Sequence, residues 1–147
     1  MARPAKTETA SAPENGALAV RAYYEDTDAG GVVYHASYIR FFERARTEYL
    51  RRLGFCLHEL REEWGALFVV RSLAVEYLRP ARLDDLLHVD ARIAGCGRVY
   101  ADFAQSARRG GEILAEAKVR AVCVSAKTGR AAALPPPLAG KIEGYAR

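Results

Sequence analysis

The stretch YEDTDAGGVVYHASY, residues 24–38, holds the side chains best suited to chemistry. Three carboxylates, Glu25, Asp26 and Asp28, come first. Gly30 and Gly31 follow, then two valines, Tyr34 and His35. A carboxylate beside an approachable backbone can take a proton from water or attack an electrophilic carbon directly. Paired glycines remove the side chains that would keep a ligand from the amides. A helix starting just beyond them adds unpaired N–H donors suited to developing negative charge. The same residues also make an ordinary turn, because Asp and Gly both favour turns. Spacing alone leaves both readings open for Asp28. Glu25 and Asp26 are read as turn and solvation residues.

The other reactive residue types do not converge in sequence. Cys56, Cys96 and Cys123 are scattered singly without a CxxC pair, which argues against a zinc ribbon and against a disulfide framework. They read as reduced thiols of a cytoplasmic protein. His58 and His88 stand alone and read as surface residues; no metal is expected. The net charge of +4 comes from dispersed arginines. It suits a solvated surface or an anionic partner such as a nucleotide phosphate or an acidic carrier protein. No basic run interleaved with aromatics points to nucleic acid. No apolar run has the roughly 20 residues that span a bilayer, and the basic start lacks the apolar centre of a secretory signal.

The 147 residues suit one domain. Residues 1–16 are rich in Ala, Pro, Thr and Glu and read as a flexible tail. Residues 18–24 alternate as a first strand. From Ser37 to Leu53 the period changes: Tyr38, Phe42, Ala45, Tyr49 and Leu53 fall at helical spacing. Ser37 or a neighbour would cap this helix, Glu48 would pair with Arg52, and Gly54 would stop it. Tyr38 reads as core. Residues 57–64 suit a short second helix. Strands follow at 67–78, 86–94, 98–106 and 112–126, separated by turns at GCG (95–97), RRGG (108–111) and, after the last, KTGR (127–130). ALPPPL, 133–138, leaves regular structure, and 141–147 reads as a tail or a short docking helix. Tight turns force antiparallel pairing, so the domain, residues 17–140, is α+β: about five strands wrapped around one long central helix. Apolar residues on both strand faces point to a second copy.

Residues 23–54, YYEDTDAGGVVYHASYIRFFERARTEYLRRLG, closely resemble the YbgC-type acyl-CoA thioesterases of the 4-hydroxybenzoyl-CoA thioesterase family. FVVRSLAVEYLRPARLDD, 68–85, and AVCV, 121–124, match the same type. The resemblance implies a hotdog fold and hydrolysis of acyl thioesters to free acid and CoA. It implies that Asp28 is the catalytic carboxylate, as base or nucleophile. It implies that a backbone N–H at or near His35 receives the oxyanion, with Tyr34 beside it and Gly30 and Gly31 giving access. It implies no cofactor, a substrate of acyl-CoA or acyl carrier protein, and a homodimer or homotetramer with the site shared between subunits. Some hotdog thioesterases carry the carboxylate on the central helix, but Glu43 and Glu48 here sit among arginines and read as structural. Arg79, Arg82, Arg92, Arg98, Arg108, Arg109, Lys118, Arg120 and Arg130 are candidates for the CoA phosphates. Two other readings stand beside hydrolysis. One is a non-catalytic acyl-carrier or Tol-Pal-associated interaction module. The other is a dehydratase in which His35 works with Asp28.

Overall fold

The structure, a computed structural model, describes residues 16–145. The expected N-terminal tail therefore lies, save for Gly16, outside the described residues. Strand β1 (Leu18–Arg21) leads through a single 3-10 turn (Tyr24–Asp26) to helix α1 (His35–Arg52). Helix α2 (Leu57–Trp64) follows. Strands β2 (Ala66–Tyr77), β3 (Leu86–Val89), β4 (Arg92–Cys96), β5 (Tyr100–Arg109) and β6 (Glu112–Ser125) come next, and helix α3 (Pro136–Tyr145) closes the chain.

The sheet is antiparallel throughout, in the order β1-β3-β5-β6-β2, with β4 also on β5. Strands β3 and β4 are two halves of the expected 86–94 strand. Val89 pairs with Ala107 and Arg92 with Ala104, so one register runs through both. Asp90 interrupts the ladder because its carboxylate takes the Ser106 N–H at 2.8 Å and the Ser106 hydroxyl at 2.7 Å. The first strand ends at Arg21, not at residue 24. Ala22 still bonds the 84–85 turn through both backbone groups, but the Asp26 carboxylate then takes the Tyr23 N–H and bends the chain.

Helix α1 lies across the sheet against β1, β3 and β5. Its stripe of Tyr38, Phe42, Ala45 and Tyr49 is buried, joined by Phe41 and Leu50. Phe41 and Phe42 are wholly buried, and each contributes about 1.5–3 kcal/mol by leaving water. Gln105 ties the helix to the sheet: its amide N–H2 donates to the Phe42 and Asp90 carbonyls, and its oxygen accepts from Arg46. The helix ends at Arg52, where Arg51 and Arg52 complement the negative end of the dipole. Gly54 adopts φ 95° just beyond. Glu48 pairs with Arg51 at 3.4 Å rather than with Arg52.

The 133–138 segment is only partly irregular. Pro136 opens α3, a position where its missing N–H and fixed φ suit the first helical turn. The helix passes through the boundary set at residue 140 and buries Leu138 and Ile142 in the main core. Lys141 fastens it by donating to the Leu53 carbonyl at the end of α1.

Candidate active site

The Asp28 loop is closed by short-range bonds. Thr27 and Val33 face each other as an isolated bridge, and the Asp28 N–H reaches the Val32 carbonyl at 2.9 Å. Inside this loop Gly31 donates to the Asp28 carbonyl at 3.0 Å. Gly31 has φ 79°, a left-handed conformation that a side chain resists. The Asp28 carboxylate accepts the Gly30 N–H at 2.8 Å and is otherwise exposed. One acceptor oxygen is thus oriented while the other stays free for a ligand or water.

The loop leans on the segment that follows β2. Val33 donates to the Ala81 carbonyl at 2.8 Å, and Val32 bridges Arg82. The Tyr38 hydroxyl accepts the Ala81 N–H at 3.1 Å from within the core. Burial pushes the Tyr38 phenol above its ordinary range, offset in part by that N–H.

Asp26 departs from its expected solvated role. It is 5% exposed. Its carboxylate holds the Tyr23 N–H at 2.8 Å, and its carbonyl accepts the Tyr34 N–H at 2.7 Å and the Ser37 hydroxyl at 3.1 Å. Asp26 therefore joins the end of β1 to the start of α1. Glu25 is exposed, as expected of a turn acid.

Helix α1 begins at His35, two residues before the expected start, with Tyr34 as N-cap. Ser37 is no cap but a buried first-turn residue. Tyr34 makes no side-chain capping bond and the first turn holds no acid. Among the described residues the N–H groups of His35 and Ala36 meet no acceptor. Two unpaired donors at the positive end of an 18-residue helix form a receptor for negative charge. The His35 ring does not hydrogen-bond Asp28. It lies 4.4 Å from the Tyr34 ring and 6.3 Å, edge-on, from Tyr77. The Tyr77 hydroxyl donates to the His35 carbonyl at 2.8 Å. Nothing in the sequence singled out Tyr77 beyond its place at the end of a strand.

A cavity of about 370 Å³ runs between α1 and β2. Ile39, one helical turn after His35, and Leu73, four residues before Tyr77 on the same strand, stand among its walls with Val70 and Leu50. The polar exceptions are Glu43, Arg46 and Thr47. Glu43 makes no ion pair within 4.0 Å among the described residues, unlike Glu48. Burial lowers the Arg46 guanidinium pKa, which Glu43 partly restores. The five expected site residues do not line this cavity.

The model of the thioesterase-like superfamily matches residues 23–142. The chain belongs to the thioesterase-like superfamily. An acyl-CoA thioesterase YbgC of Haemophilus influenzae is 50% identical over 112 residues, 76% of this chain and 82% of the relative. An acyl-CoA thioester hydrolase YbgC of Escherichia coli is 50% identical over 119 residues, 79% of this chain and 87% of the relative. Among solved structures, a probable thioesterase from Bartonella henselae superposes with a TM-score of 0.76 at 36% identity, covering 80% of this chain and 97% of that one. The antiparallel sheet wrapped around α1 is the hotdog fold of this superfamily.

Against this superfamily background the basic candidates divide. Arg120 is committed to Asp102 by two bonds of 2.7 and 2.8 Å and lies 4.0 Å over the Tyr100 ring. Arg109 is committed to Asp85 at 2.7 Å and Glu112 at 2.8 Å. Arg79 approaches Glu112 at 3.8 Å, and Arg108 donates to Ser106. Arg82, exposed beside the Asp28 loop, makes no ion pair among the described residues. Cys56, Cys96 and Cys123 are free thiols, and burial pushes the Cys123 thiol up. His58 is exposed and His88 half-buried. Among the described residues no helix is long and apolar enough to cross a membrane. No group of three or more His, Cys, Asp or Glu that could hold a metal occurs among the described residues.

Proposed function

We propose that this protein hydrolyses acyl-CoA thioesters, with Asp28 as the reacting carboxylate and the N–H groups of His35 and Ala36 as oxyanion donors. The observation that carries the reading is an exposed carboxylate, oriented by one amide, in the loop that leads into a helix whose first two amides are unpaired. The relatives at 50% identity are named for the same hydrolysis.

The thioester carbonyl oxygen faces the two amides, and negative charge collects there as the carbon becomes tetrahedral. As general base, Asp28 takes a proton from water, hydroxide adds to the carbonyl carbon, the C–S bond breaks and the proton passes to the departing CoA thiolate. As nucleophile, Asp28 adds directly, thiolate leaves, and water then cleaves the resulting anhydride. Thiolate is a fair leaving group, so neither route needs a strong acid. His35 acts through its backbone in both. Gly30 and Gly31 keep the approach open, and Tyr34 flanks it. Arg82 meets a phosphate of CoA. The acyl group lies against a second copy of the chain joined along β2. Acyl carrier protein is the alternative acyl donor.

A panel of acyl-CoA thioesters with a thiol-trapping dye tests the reading. Thiol release by the wild type is expected to fall at least about 100-fold in Asp28→Asn. Unchanged turnover in that variant would sink the assigned mechanism. Binding of an acyl carrier without hydrolysis at any chain length would favour an interaction module instead.

A further inference from the structure

We infer that Tyr77 is a positioning residue for the oxyanion amides, acting through its hydroxyl bond to the His35 carbonyl. The inference rests on the thioesterase reading above and names a part of the site outside the loop motif.

A first helical turn is the part of a helix most prone to fray, because its N–H groups have no intrahelical partner. Here the usual devices are missing. Tyr34 caps nothing with its side chain, and the first turn has no acid. Adding either would place an acceptor on the amides that must stay open. The turn is instead held through its carbonyls and its neighbours. Asp26 offers its carbonyl to the Tyr34 N–H and the Ser37 hydroxyl, which fixes the chain on both sides of His35. Tyr77 supplies the remaining hold. Its hydroxyl reaches the His35 carbonyl at 2.8 Å from β2, 42 residues away in sequence. That carbonyl and the Ala36 N–H belong to one planar peptide, so fixing the oxygen fixes the direction of the donor.

The ring is itself held. Tyr77 meets Tyr38 edge-on with centroids 5.5 Å apart, and Tyr38 is buried and bonded to the Ala81 N–H. The tyrosine hydroxyl is a donor at neutral pH, and burial pushes its pKa further up. The bond uses an acceptor that the helix does not lose, since a carbonyl oxygen has two lone pairs and the i+4 amide takes only one. Tyr77 thereby stiffens the oxyanion receptor without filling it.

The test is Tyr77→Phe, which removes the hydroxyl and keeps the ring. The expected result is a fall in kcat of about 10-fold with KM within about twofold, because the donor geometry matters most when the charge has developed. A structural loss alone would not give the second readout. The carbonyl stretch of a 13C-labelled ketone analogue of butyryl-CoA, with methylene in place of sulfur, is expected at lower frequency on the wild type than in water. In Tyr77→Phe it is expected to move back toward its solution value. The analogue does not turn over, so the measurement stands even if hydrolysis is absent and the thioesterase reading fails. Hydrogen exchange at the Ser37 amide, which donates to the Tyr34 carbonyl in the same turn at 2.9 Å, followed by NMR on the folded variant, is expected to accelerate. An unshifted carbonyl band with unchanged kcat would overturn the inference. So would a kcat loss that tracks unfolding while the band and the Ser37 exchange rate stay at wild-type values.

Discussion

Asp28 Oδ1 accepts the Gly30 N–H at 2.8 Å, and a Cβ built on residue 30 would lie 3.1 Å from that same oxygen. A side chain at residue 30 would therefore crowd the oxygen that the bond orients, and the carboxylate would have to give by a few tenths of an ångström. In Gly30→Ala the new methyl presses on Asp28, and the exposed carboxylate is the part free to give way. A misplacement of about 1 Å can cost about 100-fold in rate, and one of a few tenths of an ångström correspondingly less. The expected result is a kcat loss of about 3- to 10-fold with a thermal midpoint within a few degrees of the wild type. Steady-state kinetics beside a thermal melt checks it; a coincident collapse of both would show that the loop, and not the carboxylate, had failed.

Helix α1 was legible because Tyr38, Phe42, Ala45 and Tyr49 repeat at the period of one buried face, a signal that needs no knowledge of the partner. The strands β5 and β6 were legible for the same reason at period two. What escaped depends on distant groups. Asp26 is a short acid in a turn, and its burial follows from α1 starting at His35. The break at Asp90 depends on Ser106, and the place of Tyr77 on His35. Three consecutive prolines at 135–137 read as irregular, yet proline at the first helical position opens α3. The stretch 23–54 pointed to Asp28, Tyr34 and His35 through resemblance. Spacing alone did not separate Asp28 from a turn residue.

Asp26→Ala leaves the Tyr23 N–H without its acceptor at the junction of β1 and α1. That N–H is only partly buried and water can reach it, so the lost bond costs about 0.5–1.5 kcal/mol. The unfolding free energy from urea titration is expected to fall by that amount, seen as a lower midpoint with an unchanged slope. Asp26→Asn keeps an acceptor oxygen and is expected to lose less. Equal stability of wild type and Asp26→Ala would show that water replaces the carboxylate.

The Arg120 hydrogen bonds hold the Asp102 carboxyl below the ordinary carboxylate range, against a smaller opposing effect of burial. A carboxylate whose folded pKa is depressed stabilises the fold above its unfolded pKa of about 3.9 and loses that contribution as the pH falls through the folded value. The stability difference between wild type and Asp102→Asn is therefore expected to be full at neutral pH and to vanish in strong acid. Because the pair is solvent-facing, added salt should narrow the neutral-pH difference. Urea titrations at a series of pH values check this, and a difference that does not change with pH would exclude the ion pair as its source.

Arg82 projects from the segment bridged to Val32 and carries no ion pair among the described residues. A phosphate contact remote from the reacting carbon changes binding more than chemistry. Arg82→Ala is expected to raise KM for acyl-CoA about three- to tenfold with kcat nearly unchanged. Raising ionic strength should shrink the gap between wild type and variant. A truncated thioester lacking the nucleotide should not distinguish the two proteins; if it does, Arg82 acts on the loop instead.

Strand β2 is a twelve-residue edge paired only with β6 in the described chain. Val69, Val70 and Leu73 are 47, 51 and 37% exposed along it. A long apolar edge with unpaired N–H and carbonyl groups is a template for pairing, and natural sheets blunt such edges unless they are used. Arg71 and Glu76 are the only charges on the strand. Pairing of β2 with β2 of a second copy would cover the edge and close the open side of the cavity between α1 and β2. The wild type is expected to sediment as a dimer or tetramer at micromolar concentration. Val70→Lys places a charge at the most exposed of the three and is expected to shift the population toward monomer, with hydrolysis falling in parallel as the shared site is lost. A monomeric wild type with full turnover would remove the second copy from the site; a monomeric variant with full turnover would leave the dimer intact as an assembly but not as part of the chemistry.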